Sequence, residues 1–150
     1  MPSLPILHQR QLRQTECLAA CAGMVLDYLQ TPESYPSLIK LLQIGPAGAP
    51  FRNLQYLEKL NVSVQIEQGD VATLKNWLER GLPPIVFVKT SELSYWNEST
   101  NHALVISGMD EERVYLLDPA FEDAPKRVSI AEFELAWLEM DQFYAVIGLK

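Results

Sequence analysis

TECLAACAGMVLDYL, residues 15–29, is the stretch on which the fold turns. Thr15 or Glu16 offers a cap, and small and apolar residues then run unbroken from Cys17 to Leu26. Thr31-Pro32 stops the run. Cys17, Ala20, Cys21, Met24 and Tyr28 share one helical face. A helix that is apolar nearly all round belongs inside a protein, so this one is the expected central, buried helix.

Outward from it the pattern changes with position. Residues 1–13 read as irregular and carry Pro2 and Pro5. A short helix is expected over Pro36–Leu42, halted by Ile44-Gly45-Pro46, and a third over Phe51–Leu60 with Leu54, Leu57 and Leu60 inward. Val62, Val64 and Ile66 then alternate with Ser63, Gln65 and Glu67, the period of a half-buried strand. Asp70 caps a helix over Val71–Arg80 that ends at Gly81. Ile85-Val86-Phe87-Val88 is strand-like, and residues 90–101 form a polar loop bearing Tyr95 and Trp96. Strands follow at His102–Ser107 and Val114–Leu117, turning through Asp110–Glu112. A helix over Ile130–Met140, with Phe133, Trp137 and Met140 inward, and a strand FYAVIGL close the chain. Helices in the first half and strands in the second predict an α+β fold. Its N-terminal helices, the central one buried, pack on a C-terminal antiparallel sheet.

The 150 residues suit one domain, 1–150, with enough core to dispense with disulfide or metal staples. Hydrophobic residues make up 48% and charged residues 21%, a globular composition. A net charge of -7 argues against nucleic acid and against anionic lipid. No apolar run approaches the ~20 residues of a membrane span, so no membrane insertion is expected. The N-terminus lacks a basic stretch followed by an apolar one, so no signal peptide is read there and a cytoplasmic chain is expected. Its two cysteines, Cys17 and Cys21, are then thiols, and helical i,i+4 spacing disfavours a bridge between them.

Three residues have the chemistry of a thiol enzyme. Cys17 starts a helix, where free N–H groups and the helix dipole favour an anion. His102 is strand-borne, whereas His8 lies in the irregular N-terminus and is a poor candidate for a rigid base. Asp118 ends the strand VYLLD before Pro119, and adjacent strands can bring it beside His102 to hold the imidazole tautomer. Each also has a plainer reading: a buried cysteine, a satisfied core histidine, a strand-ending turn. Gln11, flanked by Gln9 and Gln14, is not selected by chemistry alone. Cys21, one turn deeper, reads as core. Tyr95 and Trp96 are either loop packing or the wall of a peptide cleft. No CxxC or HxxxH pair suggests zinc, and no cofactor is expected.

Three segments carry a family resemblance: QLRQTECLAACAGMVLDYL (11–29), NHALVISGMDEERVYLLDPA (101–120) and SIAEFELAWLEMDQFYAVIGL (129–149). They resemble the bacteriocin-processing cysteine peptidases, the papain-like double-glycine leader peptidases often fused to ATP-binding-cassette exporters. The glutamine six residues before the cysteine, the acidic residue beside it and the sixteen-residue step from His102 to Asp118 match that family's spacing. The resemblance implies Cys17 as nucleophile, His102 as base, Asp118 as its orienting acid, and Gln11 with the Cys17 N–H as oxyanion donors. It implies an endopeptidase cutting after a Gly-Gly type pair, with a leader-bearing precursor peptide as partner whose amphipathic leader helix enters a surface groove. The apolar faces of Pro36–Leu42 and Phe51–Leu60 either line that groove or simply pack on each other, and the chain, expected to be a monomer, is either a standalone enzyme or the N-terminal domain of an exporter, its other expected partner. Other readings on the same fold are a catalytically silent leader-binding module and another acyl-transfer enzyme such as a transglutaminase or deamidase. Leu18 departs from the glycine usual after the nucleophile, and either narrows the cleft or packs beneath it.

Overall fold

The computed structural model describes residues 3–150; Met1 and Pro2 lie outside it. Helix α1 spans Cys17–Tyr28, α2 Tyr35–Leu41, and a 3-10 helix Phe51–Leu60. Strand β1 is Val62–Gln68, α3 Val71–Glu79, β2 Ile85–Lys89, β3 Asn101–Met109 and β4 Arg113–Leu117. Strand β5 is Lys126–Ser129, α4 Ile130–Leu138 and β6 Phe143–Leu149. The strands form one antiparallel sheet in the order β1-β6-β2-β3-β4-β5.

Alternating side chains place two cores on opposite faces of this sheet. On one face, Ile85, Ala103, Val105 and Ile147 pack against Leu18, Cys21, Val25 and their neighbours in α1. On the other, Val86, Leu104, Ile106 and Tyr144 pack against Leu74 and Leu78 of α3 and Phe133 and Trp137 of α4. The expected central helix is therefore correct, with Leu18 through Leu26 all buried. The sheet is covered on its far side as well, which is why β3 is buried along nearly its whole length.

Several local expectations need correcting. Phe51–Leu60 winds as a 3-10 helix, and Leu60 and Met140 are only half-buried. Strand β5 has too little apolar alternation to be read from sequence; only Val128 of its four residues is buried. Glu16 occupies the cap position of α1 without a side-chain cap, because Tyr35 holds its carboxylate instead.

The N-terminal arm is irregular, as expected, yet well bonded. The Leu4 N–H donates to Ser107 O at 2.7 Å and the Gln11 N–H to Pro119 O at 2.9 Å. Strand β3 has a register shift between Ile106 and Gly108, and the arm crosses there. A Cβ on Gly108 would come within 2.9 Å of Ser3 Cα, so the crossing requires a glycine.

Candidate active site

The β3–β4 pairing aligns Val105 with Leu117. Continued one residue, that register sets Asp118 diagonal to His102, a separation side chains can span. They meet: His102 Nε2 lies 2.7 Å from Asp118 Oδ1. Both are buried, at 2% and 0% exposure. Nδ1 is left free of Asp118, and Cys17 stands at the N-terminus of α1, near enough for its side chain to raise the imidazole.

Burial alone would push the imidazole down. The Asp118 hydrogen bond, the Cys17 side chain and their negative charges overcome it, and His102 is pushed up to about 9. Burial likewise pushes the Asp118 carboxyl up, but His102, the Ala120 N–H and Tyr95 hold it below its usual 3.8. Both directions favour an imidazolium–carboxylate pair at neutral pH. Cys21 sits one turn deeper and is fully buried; burial, then the charges of Cys17 and Asp118, push its thiol well up. Both cysteines are free.

The Gln11 amide donates through Nε2 to Gln14 O at 3.0 Å, which fixes its orientation and leaves the second N–H of Nε2 available. Gln11 Oε1 is buried without a hydrogen-bond partner among the described residues. Gln11 and His102 line the same cleft, about 550 Å³ in volume, with Arg13, Trp96 and Phe121. Cys17 is half-buried and does not line that cleft; it meets the site through His102. Among the described residues no backbone oxygen accepts from the Cys17 N–H.

Leu18 is 3% exposed and belongs to the core against the sheet, so it packs beneath the cleft and does not narrow it. His8 does not act on the ring of His102; its Nε2 lies 2.8 Å from the main-chain oxygen of Asp118. Sequence reasoning left Tyr95 and Trp96 between packing and cleft wall, and missed that both donate to Asp118 Oδ2, at 2.7 and 2.9 Å. Two aromatic residues with polar tips shortly before the histidine were the available signal. Among the described residues no three His, Cys, Asp or Glu side chains group as metal ligands. No helix among them is long and apolar enough to cross a membrane.

No curated protein matches the chain in sequence. Solved structures share its fold at low identity. A double-glycine-motif protease from an AMS/PCAT transporter, in complex with the leader peptide, superposes with a TM-score of 0.79 at 17% identity, covering 99% of this chain and 94% of that one. The peptidase domain of Streptococcus ComA, a bifunctional ABC transporter of a quorum-sensing pathway, gives 0.78 at 18% identity, covering 95% and 98%. The Peptidase C39 family model matches residues 6–142, a span that runs from the N-terminal arm through α4 and holds Gln11, Cys17, His102 and Asp118. The chain thus belongs to the Peptidase C39 family.

Proposed function

We propose that this chain is a cytoplasmic cysteine endopeptidase, one catalytic unit over residues 1–150, that removes the leader of a precursor peptide by cutting after a Gly-Gly type pair. The observation that carries the reading is His102 bound to buried Asp118, with Cys17 close enough to raise the imidazole and placed at the start of a buried helix. The Gly-Gly preference and an exporter as partner are supported by likeness to the transporter-derived proteases.

In this mechanism the Cys17 thiolate attacks the carbonyl carbon of the second glycine. The carbonyl π-electrons move to oxygen, where the Cys17 N–H and the second N–H of Gln11 Nε2 stabilise the charge. The oxyanion collapses and the C–N bond breaks. The imidazolium of His102 gives its proton to the departing nitrogen, which becomes the new N-terminus of the mature peptide. A thioester to the leader remains. His102, now neutral, takes a proton from water as the water attacks this thioester, and the leader leaves with a free carboxylate. Asp118 stays ionised throughout and holds the imidazole in place.

Two glycines offer little surface, so affinity comes from the rest of the leader, read as an amphipathic helix. The test is cleavage of a leader-bearing precursor beside a peptide trimmed to the few residues around the scissile bond. Much faster cleavage of the full precursor is expected. Equal rates would reject leader recognition, and binding of the leader without cleavage would make the chain a silent docking module.

A further inference from the structure

The loop between β2 and β3 carries two aromatic residues to which the reaction assigns no part. The Tyr95 hydroxyl donates to Asp118 Oδ2 at 2.7 Å, and the Trp96 indole N–H donates to the same oxygen at 2.9 Å. On Oδ1, His102 Nε2 lies at 2.7 Å and the Ala120 N–H donates at 3.0 Å. Four donors thus fill a carboxylate with no exposure to solvent.

Plain packing does not require this arrangement. Buried tyrosine and tryptophan need an acceptor, but any carbonyl would serve. Here both reach one oxygen of the one carboxylate that holds His102. A carboxylate gripped only through Oδ1 is free to turn about its terminal torsion, which is broad and two-fold. Two donors on Oδ2, from different rings, define its plane. The loop that supplies them is itself anchored. Buried Thr90 donates to Glu98 O at 2.7 Å and accepts from the Thr100 N–H at 2.8 Å. The Ser94 N–H and hydroxyl both donate to Glu132 Oε2 on α4, at 2.8 and 2.9 Å. Trp96 also stands edge-on to His102, with centroids 4.9 Å apart, and Phe121 packs against both Tyr95 and Trp96.

We propose that Tyr95 and Trp96 are positioning residues that lock the Asp118 carboxylate with Oδ1 on His102, making the β2–β3 loop part of the active centre. This rests on the peptidase reading of Cys17, His102 and Asp118. Burial and the charge of Asp118 push the Tyr95 hydroxyl far above its usual 10, so it remains a donor at any working pH. The other titratable or charged groups around the pair are Cys17 and Cys21 from α1, His8 on the Asp118 main-chain oxygen, Lys126 over the Tyr95 ring and Glu132 beyond Ser94.

Tyr95→Phe and Trp96→Phe keep an aromatic ring and delete one donor each. Without both donors, the buried Oδ2 is unsatisfied, so Asp118 either takes a proton or turns away. Either event weakens its hold on the imidazolium. The titration of His102, followed by NMR of its ring in the substrate-free protein, is therefore expected to fall from about 9 toward its ordinary 6.5 in the double variant. Turnover is expected to drop about ten-fold in each single variant and about a hundred-fold in the double, with KM nearly unchanged. A folded double variant with an unshifted His102 and full turnover would overturn the proposal. Should the double variant not fold, a downward shift in either single variant supports the lock, and no shift in both overturns it. A protein that cuts no leader peptide but still shows the His102 shift keeps the lock and loses only the peptidase reading.

Discussion

Tyr35, at the start of α2, donates its hydroxyl to Glu16 Oε1 at 2.8 Å and accepts from the Leu12 N–H at 3.0 Å. One side chain thereby joins the residue after Gln11 to the residue before Cys17. Burial pushes this phenol up and the Glu16 carboxylate adds to it; the opposing Leu12 N–H leaves it at about 12, so it stays a donor. Tyr35→Phe is expected to cost about 1–2 kcal/mol of stability, since a bond to a charged group is lost and the Leu12 N–H is orphaned. Turnover should fall several-fold because the segment between Gln11 and Cys17 loosens. Urea unfolding beside leader cleavage checks both; unchanged turnover would mean that the segment is held without Tyr35.

The two cysteines separate function from packing. Cys17→Ala is expected to abolish cleavage and leave folding intact. Cys21→Ala, at a fully buried position, should keep turnover and cost on the order of 1 kcal/mol for the small cavity. Activity surviving in Cys17→Ala but lost in Cys21→Ala would move the nucleophile.

The shift at His102 gives a signed pH dependence. Its folded value, about 9, lies above the unfolded 6.5. Its contribution to stability is therefore fully present below 6.5 and is lost as pH rises through about 9, in total on the order of 3 kcal/mol. Asp118, held below 3.8, contributes above 3.8 and loses that contribution as pH falls through its folded value. Melting temperatures across the alkaline range should fall for the wild type and stay flatter for His102→Gln. Turnover should decline on the same alkaline limb, because a neutral imidazole has no proton for the leaving amine.

Gln11→Ala is expected to lower turnover about 10²–10³-fold with little change in KM, the usual effect of losing one oxyanion donor. Gln14→Ala should stay near wild type, because Gln14 serves Gln11 through its main-chain oxygen. A Gln14→Ala defect larger than that of Gln11→Ala would place the oxyanion donor elsewhere.

Leu18 tests whether the residue after the nucleophile shapes the cleft. With its side chain in the core, Leu18→Ala should cost about 2–5 kcal/mol and leave cleavage-site preference unchanged. A relaxed preference without loss of stability would show that Leu18 reaches substrate.

What the sequence by itself determined were the features written in local pattern: the buried helix from its unbroken apolar run, the strands from one alternating stretch and several short apolar runs, and Cys17, His102 and Asp118 as candidates from their types and settings, with Gln11 added only by family resemblance. Hydrophobic periodicity is local, so it survives without a structure. Tertiary structure alone decided how those residues are served. Phe51–Leu60 tightened into a 3-10 helix, and β5 formed on little apolar signal because its neighbour β4 supplied a ladder. Glu16 was diverted from capping by a tyrosine 19 residues away, and Asp118 received Tyr95 and Trp96 from 23 and 22 residues away. Hydrogen bonds between side chains distant in sequence depend on where the folded backbone puts each Cβ, and no local propensity encodes that.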